Sequence, residues 1–406
     1  MSGSRISRDT AQGPRPAPLG ASLVAILATT FFGSVSGGAF WAGLFFVTAR
    51  HYHFSPARNL ALAAAMGGLS AVASWTSGRI AARFTPRAVL WAAFALWAAV
   101  ALLPVAFPHA EPALWVAAFV ASVTSAIIWP IVESYVSAGR HGAEMRRAIG
   151  WFNVVWTPAM AVPLFLMPLV ARLGLPWCLG LGSAINVLAL AATLGLPPRP
   201  GPHAAEAARA AMGPEYDALA KASTWLLPLS YVISTAIAPL LPFRLAAVGV
   251  GGAGSSLAGL WMTARFLTFF TMWRTAFWHG RWGTLAAGSA LLLAGFSAIL
   301  LAPTAVGLVA GLLGFGVGMG LIYYCALYYS LTVGHAAVEA GGMFEALVGL
   351  GSCVGPLVGT AGQLVGGPAH AGAATLGVTA LILALGARGV LRPYYAARTA
   401  RRRPGF

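Results

Sequence analysis

Long uninterrupted runs of apolar residues recur along the sequence from one end to the other. Most runs are roughly 20 residues long, the length that a helix needs to cross about 30 Å of hydrocarbon. Because the runs are continuously apolar rather than alternating, they predict helices and exclude a membrane β-barrel. Polar breaks divide the pattern into twelve predicted spans: 20–48, 56–77, 88–107, 112–137, 148–171, 176–196, 223–246, 255–277, 284–302, 304–332, 341–366 and 371–391.

The longest polar break lies near the middle of the chain, between Gly195 and Ser223, and places six spans on each side. The first apolar run is long enough to remain in the membrane rather than act as a cleaved signal. The break predicts five segments: an N-terminal tail at 1–19, a six-helix bundle at 20–196, a central loop at 197–222, a second six-helix bundle at 223–391 and a basic tail at 392–406.

The composition also indicates a membrane protein. The chain is 59% hydrophobic and 8% charged, whereas a soluble domain has about 25% charged residues. We therefore expect an all-α polytopic membrane protein in contact with the lipid bilayer. The net charge of +16 would suggest a nucleic-acid partner for a soluble protein, but here arginines in the loops account for it, so none is expected.

The arginines predict the orientation of the chain. Most lie in the two termini and in every second link, such as the links that carry Arg79, Arg83, Arg87, Arg140, Arg146, Arg147, Arg274 and Arg281. Cytoplasmic loops accumulate Arg and Lys. Both termini are therefore expected in the cytoplasm, and the protein in the inner (plasma) membrane of the cell. The link with His335 and Glu339 is an exception, because it has no Arg or Lys.

A helical hairpin occurs twice in the sequence. The first copy runs from Ile127 to Leu173, and a weaker copy runs from Leu321 to Val365. The second helices of the two copies align without a gap: Gly342, Phe344 and Glu345 stand where Gly150, Phe152 and Asn153 stand in the first copy. An internal repeat of this kind is typical of transporters.

With twelve spans, a six-plus-six division and a repeat, the chain resembles the major facilitator superfamily of transporters. The signature of this family between its second and third helices, G-x-L-A-D-R-x-G-R-K, compares with GRIAARFTPR here. Gly78, Arg83 and Arg87 match, whereas Ala82 replaces the Asp and Thr85 the second Gly. The resemblance implies two pseudo-symmetric six-helix bundles that work by alternating access, with this loop taking part in the conformational change.

A second family motif, G-x8-G-x3-G-P-x2-G, usually lies in the fifth helix of antiporters. In this chain it is complete in the eleventh span, as Gly342, Gly351, Gly355, Pro356 and Gly359. Small residues at this spacing let two helix backbones approach closely. The motif therefore predicts a helix crossing that takes part in the conformational change.

Arg265 is the most informative single residue, because it lies near the middle of the eighth span. A cation at that depth costs several kcal/mol unless it faces protein, water or an anion. Two roles are open. It binds an anionic group of a substrate, or a titrating carboxylate, in a central cavity. Alternatively, it bonds helix carbonyls or hydroxyls and ties the two halves together.

Glu133 lies about one turn inside the end of the fourth span, with Trp129 one turn away on the same face. Two roles are open here as well. Glu133 is a protonatable carboxylate that couples proton flow to transport, or it pairs with Arg146 or Arg147 and ties the cytoplasmic end together.

Asn153 and Glu345 occupy equivalent places in the two repeats, each early in a span. We expect both to line the pathway near its cytoplasmic mouth. Glu345 has an alternative role as the carboxylate that caps a helix start, where the backbone amides are unpaired.

Aromatic residues supply further candidates for the pathway. Tyr323, Tyr324, Tyr328 and Tyr329 fall on one face of the tenth span, and Tyr324 and Tyr328 are the expected cavity wall for an aromatic or amphipathic solute. The alternative is an aromatic belt at the membrane interface. Trp129 has the same two interpretations.

The sequence contains no motif for catalysis. It has no P-loop, no serine-nucleophile motif, no CxxC pair and no metal-ligand spacing, so we expect no enzyme activity, no cofactor and no metal. The favoured interpretation is a monomeric secondary transporter that exports a small amphipathic compound, driven by a proton or substrate gradient. The alternatives are uptake or exchange of an organic anion bound by Arg265, or a non-transporter membrane protein that handles lipids or assists assembly.

Overall fold

The computed structural model describes residues 22–140, 142–201, 214–333 and 338–401. Several predicted features lie outside these ranges: the N-terminal tail at 1–19, residues 202–213 of the central loop, His335 and the last residues of the basic tail. Within the described ranges every regular element is a helix.

We number the helices by the span that each one occupies. The first half contains α1 Leu23–Arg50, α2 Pro56–Arg83, α3 Pro86–Ala106, α4 Glu111–Ser137, α5 Gly142–Leu173 and α6 Trp177–Gly195. The second half contains α7 in two pieces, Pro214–Ile237 and Leu241–Ala247, then α8 Gly254–Arg274, α9 Trp282–Leu301, α10 Ala305–Val333, α11 Gly342–Gly367 and α12 Ala369–Thr399.

These helices confirm the predicted class, an all-α polytopic membrane protein. Within the described ranges, ten helices are long and apolar enough to cross a membrane, and the bent α7 pair brings the number to 11. The remaining helix, α8, contains Arg265 and Arg274 and packs between α5 and α10. Twelve helices therefore occupy the places of the twelve predicted spans.

Local sequence explains where the helices of the first half begin. The side chains of Ser55 and Thr85 each accept a hydrogen bond from the backbone N–H three residues later, at 3.3 Å in both cases. A proline follows each of these residues, at the position where a helix needs no N–H donor. The resulting link between α2 and α3 is only two residues long and lies inside the family signature, which extends into both helices.

Three details of the second half differ from the predicted spans. The helix α7 begins at Pro214, inside the predicted central loop, because a proline start followed by Glu215 and Asp217 in the first turn favours a helix N-terminus. The two pieces of α7 meet at 50° around Pro239. The helix α12 continues to Arg401 through part of the predicted tail, joined to α11 across Gly367, whose φ is 57°.

The two halves meet along two pairs of helices, α2 with α11 and α5 with α8. A Cβ atom added at Gly67 of α2 would overlap the backbone of Cys353 in α11, and one added at Gly349 would lie 2.5 Å from the backbone N of Ala71. In the other pair, Gly150 of α5 lies directly under the ring of Trp273. At all three contacts the space beside the Cα atom is occupied by the neighbouring helix, so only glycine fits.

The motif glycines of α11 lie at these helix crossings. A Cβ atom at Gly351 would lie 2.5 Å from the carbonyl oxygen of Pro228, and Gly355 contacts the same helix, α7, one turn further along. Gly342 and Gly359 face α2, where an added Cβ would lie 2.9 Å from the oxygen of Ser74 and 2.7 Å from Leu60, respectively. The motif thus allows α11 to pack against both halves.

Candidate functional site

A cavity of about 170 Å³ lies between the two halves. The links 84–85, 138–140 and 275–281 lie at one end of the bundle, which we call the basic end because Arg83, Arg87, Arg140, Arg274 and Arg281 lie in these links or beside them. The cavity wall includes residues from both halves. Its polar and charged members are Ser70, Ser125 and Glu133 from the first half and Tyr231, Ser234, Thr235, Arg265, Tyr323, Glu345 and Ser352 from the second.

Arg265 lies in the wall of this cavity with only 2% of its surface exposed. Its guanidinium carbon is 4.6 Å from the ring centre of Trp156, 4.5 Å from that of Tyr323 and 5.3 Å from that of Phe269. Each distance is within the range of a cation–π contact. The rings come from both halves, so the arginine is in contact with both.

The guanidinium keeps unused hydrogen-bond donors. Its Nε and Nη2 atoms are buried and have no hydrogen-bond partner, although the Tyr231 hydroxyl interacts with the group. Within the described part of the chain, no carboxylate lies within the 4.0 Å of an ion pair with it. Buried donors without a partner are costly, so an acceptor from outside the chain would stabilise this arginine.

Glu133 also lies in the cavity wall, with 2% of its surface exposed. Its Oε2 atom is buried without a hydrogen-bond partner. Among the described contacts, no ion pair joins it to Arg146 or Arg147. The alternative in which Glu133 ties the cytoplasmic end together therefore has no contact to support it, whereas a role in the cavity does.

Glu345 lies in the same cavity wall, close enough to Glu133 for the two charges to interact. The regular helix of α11 begins at Val338, four residues before the apolar span Gly342–Gly367, so Glu345 lies beyond the first helical turn. A capping carboxylate acts within that turn. The position therefore argues against the alternative of a helix cap.

Asn153 is buried but does not contact the cavity, so the expectation that it lines the pathway does not match its position. Its Oδ1 atom accepts a hydrogen bond from the Trp156 Nε1 at 2.9 Å, and its Nδ2 donates to the Ile149 carbonyl oxygen at 3.0 Å. Asn153 therefore orients the indole that covers Arg265. The two repeat-related residues, Asn153 and Glu345, have different tasks.

The tyrosines of α10 divide between two sites. Tyr323 lines the cavity, whereas Tyr324 and Tyr328 do not. The latter two pack against the indole of Trp278, with ring centres 5.3 and 4.8 Å away. Tyr324 and Tyr328 therefore surround a tryptophan of the 275–281 link at the basic end, and the expectation that they form the cavity wall is corrected to Tyr323.

Trp129 lies in the cavity wall, as the sequence predicts. Its Nε1 donates a hydrogen bond to the Ser125 Oγ at 3.1 Å, and the Nε1 of Trp41 approaches the same oxygen at 3.4 Å. Trp41 lies in a π-helical turn, Ala39–Gly43, and such turns often occur at functional sites. Two indoles and one serine thus form one side of the cavity.

The family signature between α2 and α3 lies away from the cavity. Gly78 is buried in α2, and Arg83 is exposed at its end, with its guanidinium 5.8 Å from the Phe84 ring. Arg87 donates a hydrogen bond to the carbonyl oxygen of Leu196 at 2.9 Å. These arginine contacts remain within the first half, consistent with the missing acidic residue at Ala82.

Sequence reasoning missed the part of the site contributed by α7. Tyr231, Ser234 and Thr235 lie in the cavity wall on the stretch just before the bend at Pro239. The hydroxyls in this stretch are spaced by three and four residues, which is the spacing of one helix face. That spacing was a usable signal for a polar stripe in an otherwise apolar span.

Known proteins resemble this chain in structure rather than in sequence. No family model matches it, and no curated protein matches it in sequence. The crystal structure of the nucleoside transporter NupG aligns with a TM-score of 0.61 and 14% identity, covering 92% of this chain and 98% of that chain. A mutant of NupG aligns with a TM-score of 0.64, 14% identity and coverage of 90% and 99%.

The human organic anion transporter MFSD10 (TETRAN) aligns with a TM-score of 0.60 and 14% identity, covering 92% of this chain and 98% of that chain. At this identity the likeness concerns the fold. It confirms the predicted fold class, an all-α membrane protein with its helices in two bundles.

Proposed function

We propose that this chain is a secondary-active transporter that moves a small amphipathic organic solute by alternating access. One observation carries the proposal. The cavity between the two halves contains a buried arginine with free donors and two carboxylates that form no ion pair within the described residues. Charged residues within membrane spans typically mark substrate or ion pathways, and a site between repeats is the usual position in such carriers.

The solved structures with the same fold support a transporter. By their names, one moves nucleosides and another moves organic anions. Their shared fold does not specify a substrate, because one fold hosts many functions. The substrate therefore has to be inferred from the residues in this cavity.

Each charged residue has a defined task in the proposed cycle. Arg265 binds an acceptor group of the solute with its free Nε and Nη2 donors. Glu133 and Glu345 exchange the coupling proton, and Trp129 with the other aromatic rings contacts the apolar body of the solute. The proton and the solute move in opposite directions, so an inward proton gradient drives export, with both termini on the cytoplasmic side of the inner membrane. The arginines at the basic end support this orientation.

Uptake or exchange of an organic anion is the second candidate. The observation in its favour is the arginine itself, because the free donors of Arg265 fit a carboxylate or phosphate in a forked geometry. In that case the two carboxylates remain protonated while the anion is bound.

Transport in proteoliposomes tests both candidates. Wild-type protein is reconstituted and screened with a panel of amphipathic and anionic solutes under an imposed proton gradient of either direction. We expect solute flux that depends on the gradient, and a loss of most of it in Arg265→Gln and Glu133→Gln. Arg172→Gln and Glu144→Gln are matched controls, because both residues are exposed and lie on α5. Unchanged flux in both cavity variants would remove these residue assignments.

A further inference from the structure

The cavity contains two unpaired buried groups of opposite character. The Nε and Nη2 atoms of Arg265 are donors without a partner, and the Oε2 atom of Glu133 is an acceptor without a partner. Both side chains are 2% exposed, and both lie in the wall of one cavity. They come from different halves, α8 and α4, and do not form an ion pair with each other. A single solute that carries both an acceptor and a donor would satisfy both.

We propose that the preferred solute is an aromatic zwitterion whose anionic group binds Arg265 and whose ammonium group binds Glu133. This inference rests on the proposed transport function and specifies its substrate class. Glu345 provides a second carboxylate beside Glu133, so the ammonium group faces two acceptors. From α8 to α4 the order is then the Arg265 guanidinium, the anionic group of the solute, its ammonium group and the Glu133 carboxylate.

The uncharged wall supports an aromatic body between the two charged groups. Rings make up much of the surface that the solute would touch, and they are contributed by Trp41, Trp129, Phe152, Trp156, Trp261 and Phe315. Such rings bury a planar solute with little loss of side-chain entropy and favour offset or edge-to-face contacts. The other polar groups of the wall are hydroxyls, at Ser70, Ser125, Tyr231, Ser234, Thr235, Tyr323 and Ser352.

A solute with only one charge leaves either Arg265 or the carboxylates of Glu133 and Glu345 without a partner of opposite charge. A simple anion occupies Arg265 but places its charge beside Glu133 and Glu345. A simple cation pairs with the carboxylates but leaves the Arg265 donors buried without an acceptor. Removing one partner of a buried, hydrogen-bonded charge pair costs enough to weaken binding by about 30-fold or more. Discrimination of this size is therefore expected between the zwitterion and either singly charged form.

The experiment compares charge forms of the same aromatic body. Purified protein in detergent is titrated by calorimetry with phenylalanine, N-acetylphenylalanine and phenethylamine, and with the three corresponding indole compounds. These represent a zwitterion, an anion and a cation. We expect the zwitterion of at least one series to bind about 30-fold or more tightly than both of its singly charged relatives. Equal or tighter binding of an anion or a cation, or no binding in either series, overturns the proposal.

Two variants assign the charges to residues. Arg265→Gln should weaken binding of the zwitterion and the anion but not of the cation, and Glu133→Gln should weaken binding of the zwitterion and the cation but not of the anion. A reversed or charge-independent pattern contradicts the assignment. If a glutamine variant does not fold, Arg265→Lys and Glu133→Asp keep the charge, and the ranking of the three forms by the wild type still decides the substrate class.

The outcomes separate this inference from the transport proposal. Gradient-dependent flux of some other solute, together with no preference for a zwitterion, would overturn the inference and leave transport standing. Zwitterion binding that depends on Arg265 and Glu133, but with no flux of the bound compound in proteoliposomes, would overturn the transport proposal and leave the binding site standing.

Discussion

Arg265 is held in place by aromatic faces rather than by an acid. Three rings lie between 4.5 and 5.3 Å from its guanidinium carbon, and each desolvated contact of this kind contributes about 2 kcal/mol. Their sum offsets part of the several kcal/mol that a buried cation costs in a membrane span. Because π faces do not use N–H donors, the side chain is fixed while its donors remain available to a solute.

The hydrogen bond from Trp156 to Asn153 leads to the first prediction. Asn153→Ala leaves the Trp156 Nε1 buried without an acceptor, so we expect a loss of about 1–3 kcal/mol in the free energy of unfolding. The double variant Asn153→Ala with Trp156→Phe should lose less stability than the sum of the losses in the two single variants. The measurement is a double-mutant cycle by thermal unfolding in detergent. Strictly additive losses would contradict the positioning role of Asn153.

His279, in the link between α8 and α9, leads to a prediction about pH. Burial lowers the pKa of its imidazole below the ordinary value, and the Arg146 guanidinium lowers this pKa further. The ring also packs against Trp278 and Tyr328. Because the folded chain keeps this imidazole neutral, the unfolded chain takes up the proton first as pH falls below about 6.5.

We therefore expect the contribution of His279 to stability to be constant above neutral pH and to decline as pH falls from about 6.5. The measurement is the unfolding midpoint of wild type and His279→Gln at pH 7.5 and 5.5. The variant should lose less stability between the two pH values than the wild type. His370→Gln, which changes an exposed histidine of α12, serves as the control. If His279→Gln lost as much stability between pH 7.5 and 5.5 as the wild type, the prediction would be contradicted.

Sequence reasoning could find the charged residues of the site and Trp129, but not the correct tyrosine. Arg265 and Glu133 are conspicuous because a charge within an apolar run has few explanations. Tyr323 and Tyr324 are adjacent residues, and their side chains point about 100° apart on a helix. Which of the two faces the cavity depends on how α10 is rotated in the bundle, and the composition of one span carries no information about that rotation.

At the scale of elements, the crossing of α2 and α11 fixes how closely the two halves approach. Gly67 lies where any Cβ atom would overlap the backbone of Cys353, whereas a Cβ atom at the neighbouring Gly68 would lie 3.6 Å from the Cys353 Sγ, an ordinary contact. The two glycines are adjacent in one helix, yet only one of them is required by packing. This difference supplies a matched pair of variants.

We predict that Gly67→Ala destabilises the observed packing of α2 against α11 by about 1–3 kcal/mol, the usual cost of overpacking. Gly68→Ala should be neutral or slightly stabilising, because alanine favours helix by about 1 kcal/mol over glycine. The measurement is the rate at which a maleimide labels Cys353 after Cys178 and Cys325 are replaced by alanine. Faster labelling is expected in Gly67→Ala alone, and similar rates in both variants would contradict the prediction.

The element boundaries show what apolar periodicity can and cannot predict. The places of all twelve spans follow from the length of the apolar runs. The start of α7 at Pro214 and its bend near Pro239 do not, because polar first turns and proline-broken turns look like loops in a hydropathy pattern. The hydroxyl stripe of Tyr231, Ser234 and Thr235 lies beside that bend, so the α7 part of the site was missed.

At the scale of the whole molecule, the contacts at the basic end hold the two halves together. A Cβ atom at Gly342 of α11 would lie 3.0 Å from the Ser77 Oγ of α2. The Gly150 and Trp273 contact between α5 and α8 lies at the same end. In the proposed cycle both contacts must separate before the cavity can open to that side.

We therefore predict that a covalent link at this contact stops transport. Ser77→Cys with Gly342→Cys, in a chain without its three native cysteines, is treated with a short bifunctional thiol reagent that can be cleaved by reductant. Flux in proteoliposomes should fall to background and return after reduction. The control pair is Ser36→Cys with Gly182→Cys, since a Cβ atom at Gly182 would lie 3.1 Å from the Ser36 Oγ within the first half. Full flux through the linked Ser77–Gly342 protein would contradict alternating access at this end.

The aromatic rings that cover Arg265 affect how the solute is released. Trp156 belongs to the first half, and Tyr323 belongs to the second. In the proposed cycle the halves tilt apart, so one of the two rings moves off the guanidinium and water takes its place. A hydrated arginine attracts an anionic group less strongly than a dry one, so the motion that uncovers the solute also loosens it. Release of the solute from Arg265 then requires no event other than the motion of the two halves.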